Sequence, residues 1–180
     1  MQIAISLRHL MTRSIAHRII TILVSSTLIA IAAQISIPLE PVPVTLQTLV
    51  ILLVGALYGP RLAAEIVGTY ILAAGCGLPI LADGNSLFTL PVVRYGYIAG
   101  FFLTAIVTGY LYERIGKRFV GRLTAIFLGA ATVYIPGLIW LAKFIGIEAA
   151  VSVGLLPFVF GDILKATLAF LTAEVIARRS

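Results

Sequence analysis

Apolar side chains along this chain come in long, nearly unbroken runs. They do not follow the 3.6-residue or two-residue alternation of elements that keep one face in water. The first run covers residues 19–37, close to the ~20 residues a helix needs to cross ~30 Å of hydrocarbon. The second, 44–58, stops at Gly59-Pro60, and the third, 62–74, stops at Gly75-Cys76-Gly77. Runs 95–111, 123–142 and 155–176 complete the set. The pattern predicts an all-α integral membrane protein with six transmembrane helices. The second and third runs are short, and the third carries Glu65. They are either tilted spans or a re-entrant hairpin packed inside the bundle.

Composition supports lipid as the solvent. The chain has 180 residues, of which 61% are hydrophobic and 11% charged. Soluble domains are nearer ~45–50% apolar and ~25% charged. A net charge of +6 invites a nucleic-acid reading. The basic residues, however, stand in short clusters between apolar runs, so we expect no nucleic acid. A basic start followed by Ala30-Ile31-Ala32 has the look of a secretory signal. The apolar stretch continues to Leu39 and further runs follow, so we read an uncleaved first helix.

The positions of Lys and Arg orient the chain. Six crossings put Arg8, Arg13, Arg18, Arg61, Arg114, Lys117, Arg118, Arg122, Arg178 and Arg179 on one side. Only Arg94 and Lys143 fall on the other, and Lys165 lies within a run. The expectation is N-in/C-in. It implies one membrane domain over 1–180: a basic cytoplasmic segment (1–18), a six-helix bundle (19–177) and a short cytoplasmic tail (178–180). Four crossings, without the second and third, leave the termini on the same side. The longest break, 75–94, lies outside and is rich in apolar residues, which suits either a lid or a surface connector.

An ionisable side chain at the bilayer centre costs ~2.5–3.5 kcal/mol even on insertion scales. Asp162 and Lys165 stand three apart, on one helix face. With Pro157 in the first turn, Lys165 lies ~12 Å deeper at ~1.5 Å per residue. The pair reads as a ligand or ion site reachable from outside, or else as an ion pair fastening the helix. Glu65 is expected to pair with Arg61, and Glu174 with Arg178, each four residues apart. Trp140 reads as an interface anchor. Ser26 and Ala30 form a small-xxx-small pair. Thr45 and Gln47 begin the second run, and Arg94 and Tyr97 the fourth, all on the outer side.

Some chemistry is excluded. Both histidines, His9 and His17, precede the first run, so an intramembrane Ser–His or His–metal site has no His to use. Gly116-Lys117-Arg118 lacks the Ser/Thr and glycine spacing of a P-loop. A single cysteine, Cys76, allows no internal disulfide. We expect no enzyme and no cofactor.

Three segments together resemble the BioY family, the biotin-specific S components of ECF-type vitamin transporters. They are Pro41-Val42-Pro43-Val44-Thr45-Leu46-Gln47, Gly96-Tyr97-Ile98-Ala99-Gly100-Phe101, and Leu156-Pro157-Phe158-Val159-Phe160-Gly161-Asp162-Ile163-Leu164-Lys165. The likeness runs over 20–177. It implies an S-component fold in a bacterial plasma or inner membrane and high-affinity biotin capture from outside. It also implies partnership with a coupling membrane protein and ABC-type ATPases. Site roles carry over to Asp162 and Lys165, then to Gln47 and Tyr97. Thr45, Asn85 and Arg94 complete the expected biotin set. Arg94 and Tyr95 stand where the family commonly has small residues. An S component for another vitamin, and an autonomous ion-coupled carrier, remain alternatives.

Overall fold

The computed structural model describes residues 14–179, with side chains to 177. The expectations for Arg8, His9 and Arg13, and for the pairing of Arg178, lie outside that range. Seven α-helices, two short 3-10 helices (Ala82–Gly84 and Val92–Arg94) and a two-stranded ribbon make up the regular structure of the described part.

Helix α1, Ile15–Gln34, starts at Ser14, whose hydroxyl accepts from the His17 N–H at 3.2 Å. Its inward face is mostly small: Ser25, Ser26, Ala32 and Ala33 are buried around a single large side chain, Ile29. Ile19, Ile20, Leu23, Val24, Leu28 and Ile31 face outward and are exposed. A water-soluble helix has the reverse polarity; packing by small residues with apolar groups outside suits lipid. Ser26 donates to the Ile66 carbonyl at 2.8 Å, holding α1 against the next element.

Residues 35–46 are not helical. Strands β1 (Ser36–Ile37) and β2 (Val44–Thr45) pair antiparallel around the Pro41-Val42-Pro43 turn. The second run therefore starts its helix at Gln47, not at 44. Prolines on both sides of Val42 remove backbone donors that a helix needs.

Helix α2, Gln47–Gly75, is broken at Gly59, whose φ of 74° and ψ of 179° lie outside any helix. Only glycine holds that geometry without strain. The break is a reversal. Gln47 Nε2 donates to the Tyr70 hydroxyl at 2.8 Å across 23 residues of sequence. That distance along a straight helix is ~35 Å. The two arms thus return antiparallel, as the Gly59-Pro60 signal indicates. Ile51, Ile66 and Tyr70 are fully buried between them and their neighbours.

Helix α3, Tyr95–Ile115, lies against both arms. A Cβ on Gly109 would stand 2.5 Å from Pro60 N and 2.6 Å from Gly59 C. One on Gly55 would meet the Ala105 carbonyl oxygen at 2.9 Å. Bare glycine surfaces let these backbones approach.

The fifth run is two helices, α4 (Phe119–Ala131) and α5 (Tyr134–Ile145), continuous in hydrophobicity but interrupted at Thr132-Val133. Pro136 has no N–H for the Thr132 carbonyl, which accepts from Ile135 instead. The Thr132 hydroxyl bonds back to Gly129 O at 2.6 Å. A short helix, α6 (Ile147–Gly154), then meets α7 (Leu156–Arg179) at a 42° bend.

One expected pairing has a different partner. Glu65 meets Arg18 of α1, not Arg61. Glu174 accepts two bonds from Arg122 of α4, the Nη2 bond at 2.9 Å. In both cases a guanidinium from a neighbouring helix offers a flat fork to the carboxylate. Trp140 donates its indole N–H to the Val92 carbonyl at 2.8 Å.

Candidate functional site

The ribbon, the start of α2, the start of α3, α5 and α7 converge at the end of the bundle remote from Arg18. Two adjoining clefts lie there, each about 40 Å³ and partly open. That is well below the ~300–1,000 Å³ of small-molecule sites, so the clefts must widen to admit such a molecule. Val42, Pro43, Thr45, Tyr97 and Phe101 line both, so they form one continuous hollow.

Asp162 and Lys165 close one end of it. Lys165 Nζ stands 2.5 Å from Asp162 Oδ1 and donates to the Thr45 carbonyl at 3.1 Å. The side chains are 7% and 14% exposed, for Lys165 and Asp162. The other carboxylate oxygen accepts from the Tyr134 hydroxyl. Oδ1 is in close charge contact with the ammonium. Thr48 Oγ1, in the same cleft, is buried without a partner. Buried polar atoms are normally satisfied. An unpartnered hydroxyl beside a buried ion pair marks the hollow as a place for a polar ligand.

The walls are aromatic. Tyr97 lies near-parallel to Phe158, centroids 6.5 Å apart. The Tyr97 hydroxyl is already committed to the Gly154 carbonyl at 2.8 Å, so its ring is what the hollow sees. At the other end are Gln47 and Arg94. Arg94 is 7% exposed; it donates to Pro41 O at 2.7 Å and to Asp83 at 3.0 Å. Its second guanidinium nitrogen, Nη2, lies 3.7 Å from Glu40. Arg94 therefore clamps the 76–94 loop to the Pro41 turn while its flank lines the hollow.

Six of the seven expected residues thus line one hollow: Thr45, Gln47, Arg94, Tyr97, Asp162 and Lys165. Asn85 does not. Its amide turns back to the Ala82 carbonyl at 2.9 Å, within the loop. Sequence reasoning missed Tyr134 and Thr48. Tyr134 lies inside an apolar run two residues before a proline, and a buried tyrosine hydroxyl seeks a partner. Thr48 follows Gln47 directly and carried no separate signal.

Residues 5–180 match the model of the BioY family. A Thermotoga maritima protein named biotin transporter BioY is 36% identical over 152 residues, covering 82% of this chain and 88% of its own length. A Pyrococcus horikoshii protein named probable biotin transporter BioY is 33% identical over 148 residues, with the same coverage of each chain. Among solved structures, the S-component for biotin from an ECF-type ABC transporter superposes with a TM-score of 0.78 at 25% identity. That match covers 91% of this chain and 90% of the other.

Proposed function

Because the chain belongs to the BioY family, a family of multi-pass membrane transport components and not of enzymes, we propose that it captures biotin in this hollow for uptake. The observation that carries the reading is the buried Asp162–Lys165 pair beside the unpartnered Thr48 hydroxyl in the hollow.

Biotin offers matching groups: two ureido N–H donors, one strongly accepting ureido oxygen, an apolar sulfur ring and a carboxylate tail. Asp162 accepts from ureido N–H. Lys165 donates to the ureido oxygen. Thr48 and Gln47 supply neutral bonds, and Tyr97 and Phe158 cover the sulfur ring. The tail runs toward Arg94, where a carboxylate replaces the distant Glu40 as partner of the free guanidinium edge.

We read six crossings with both termini in the cytoplasm. Two contacts support this over a re-entrant pair. Arg18, at the start of α1, meets Glu65 near the Gly59 turn. Gln34, at the end of α1, donates to Leu81 O at 3.0 Å, beyond the far end of α2. The second arm of α2 therefore covers nearly the same depth as α1, and the first, 47–58, returns to the level of Tyr70. The basic loops then face the cytoplasm and the hollow faces outward. High-affinity capture would be followed by transfer through an ECF coupling protein driven by ABC-type ATPases, since the sequence carries no P-loop.

Competition tests the ligand. Labelled biotin held by the purified chain should be displaced by unlabelled biotin and not by equal thiamine, riboflavin or niacin. Displacement by one of those three, with biotin ineffective, would assign the hollow to another vitamin.

A further inference from the structure

We propose that the loop over the hollow, residues 76–94, rests in the lipid headgroup boundary and not in water, with Phe88 as its anchor. Part of the loop is reversed for a solvated segment. Several of its polar side chains are tied up: Asp83 meets Arg94 and Ser36, Asn85 meets the Ala82 carbonyl, and Ser86 meets Thr89. Leu81 and Leu90 pack into the core, but Phe88, Leu78 and Val92 face away, at 79%, 51% and 51% exposed.

Phe88 is also fixed in place. Leu87 N–H donates to the Ala74 carbonyl at 3.1 Å, and the Leu87 carbonyl accepts from the Tyr95 hydroxyl at 2.7 Å. A Cβ on Gly77 would lie 3.9 Å from the Phe88 ring, so the ring stands just past the end of α2. Leu72, on the last turns of that helix, is 70% exposed on the bundle's lipid-facing surface. The apolar surface continues from there through Leu78 to Phe88. Also at this end of the bundle, Trp140 carries the Lys143 ammonium 5.0 Å over its ring, an arrangement suited to the membrane–water boundary. An aromatic side chain held outward at that level, beside an acyl-facing surface, fits the acyl–headgroup boundary of the leaflet on the loop's side. Opening the hollow then means lifting Phe88 out of lipid. This placement does not depend on which ligand the hollow takes.

The single cysteine makes the test direct. In a Cys76→Ser background, nitroxide labels go at Phe88→Cys, at Leu72→Cys as a lipid reference and at Glu40→Cys as an aqueous one; Glu40 is 89% exposed. Each chain is reconstituted in bilayers. Collision rates with oxygen, which concentrates in lipid, are compared with those of a nickel chelate confined to water. The expected result is oxygen exceeding nickel at position 88, several-fold above the ratio at position 40. Nickel exceeding oxygen at position 88, as at position 40, would overturn the proposal. Line broadening that disappears on dilution with unlabelled chain would place a second copy over Phe88 and overturn it too.

Discussion

Replacing Lys165 with methionine is expected to lower biotin affinity ~100-fold or more. Methionine keeps the length and the apolar stem but removes the ammonium. Asp162 then loses its counter-charge at 14% exposure, and the Thr45 carbonyl loses its donor. Breaking one side of a buried pair costs ~3–5 kcal/mol, and each ~1.4 kcal/mol is a factor of ten. Asp162→Asn should fall as far, because an amide offers one acceptor where the ligand brings two donors beside an ammonium. Tyr134→Phe should fall less, by roughly ten- to a hundred-fold, since it removes one bond to a charged group, worth ~1.5–3 kcal/mol. Equilibrium binding of labelled biotin in nanodiscs reads all three. Affinities equal to wild type in both Lys165→Met and Asp162→Asn would remove the pair from the site.

Gly109→Val is expected to be the most damaging change away from the hollow. Its Cβ would fall 2.5 Å from Pro60 N and 2.6 Å from Gly59 C, both backbone atoms at the reversal of α2. Neither atom can rotate aside, so α3 and α2 must separate. Overpacking of this kind costs ~1–3 kcal/mol and can cost more when backbone is the obstacle. The shift carries Tyr97 on α3 away from Gln47 and Thr48 on α2, so binding weakens along with stability. Gly68→Ala is the matched control, because its nearest neighbour is the Phe102 ring at 3.6 Å. Thermal melts in detergent should show a loss for Gly109→Val and little change for Gly68→Ala. Equal melting of both would mean that the turn and α3 are not packed as described.

Much of this architecture could be read from the chain. Apolar run lengths located the helices, and Gly59-Pro60 located the reversal that divides α2. The spacing of Asp162 and Lys165 put two charges on one face, and the structure finds them in contact. What escaped is of one kind: contacts set by tertiary approach. Glu65 had a plausible partner four residues away in Arg61, yet Arg18 reaches it from another helix. Arg122 likewise reaches Glu174 across 52 residues of sequence, a contact that no local spacing shows. Local spacing says which residues share a face, not which neighbour that face meets. The interruption at Thr132-Val133 escaped because hydropathy is continuous across it, although Pro136 was visible. The β1–β2 ribbon escaped because four paired residues leave almost no periodic signal. Asn85 was placed in the hollow on loop position alone, and its amide closes a local turn instead.

The central claim is that the hollow at Asp162 and Lys165 holds biotin. Calorimetric titration of the purified chain with biotin addresses it with no partner present. The account predicts saturable binding of one biotin per chain, abolished or strongly weakened in Lys165→Met protein that still melts cooperatively. No heat and no retained biotin from a folded wild-type chain would contradict it.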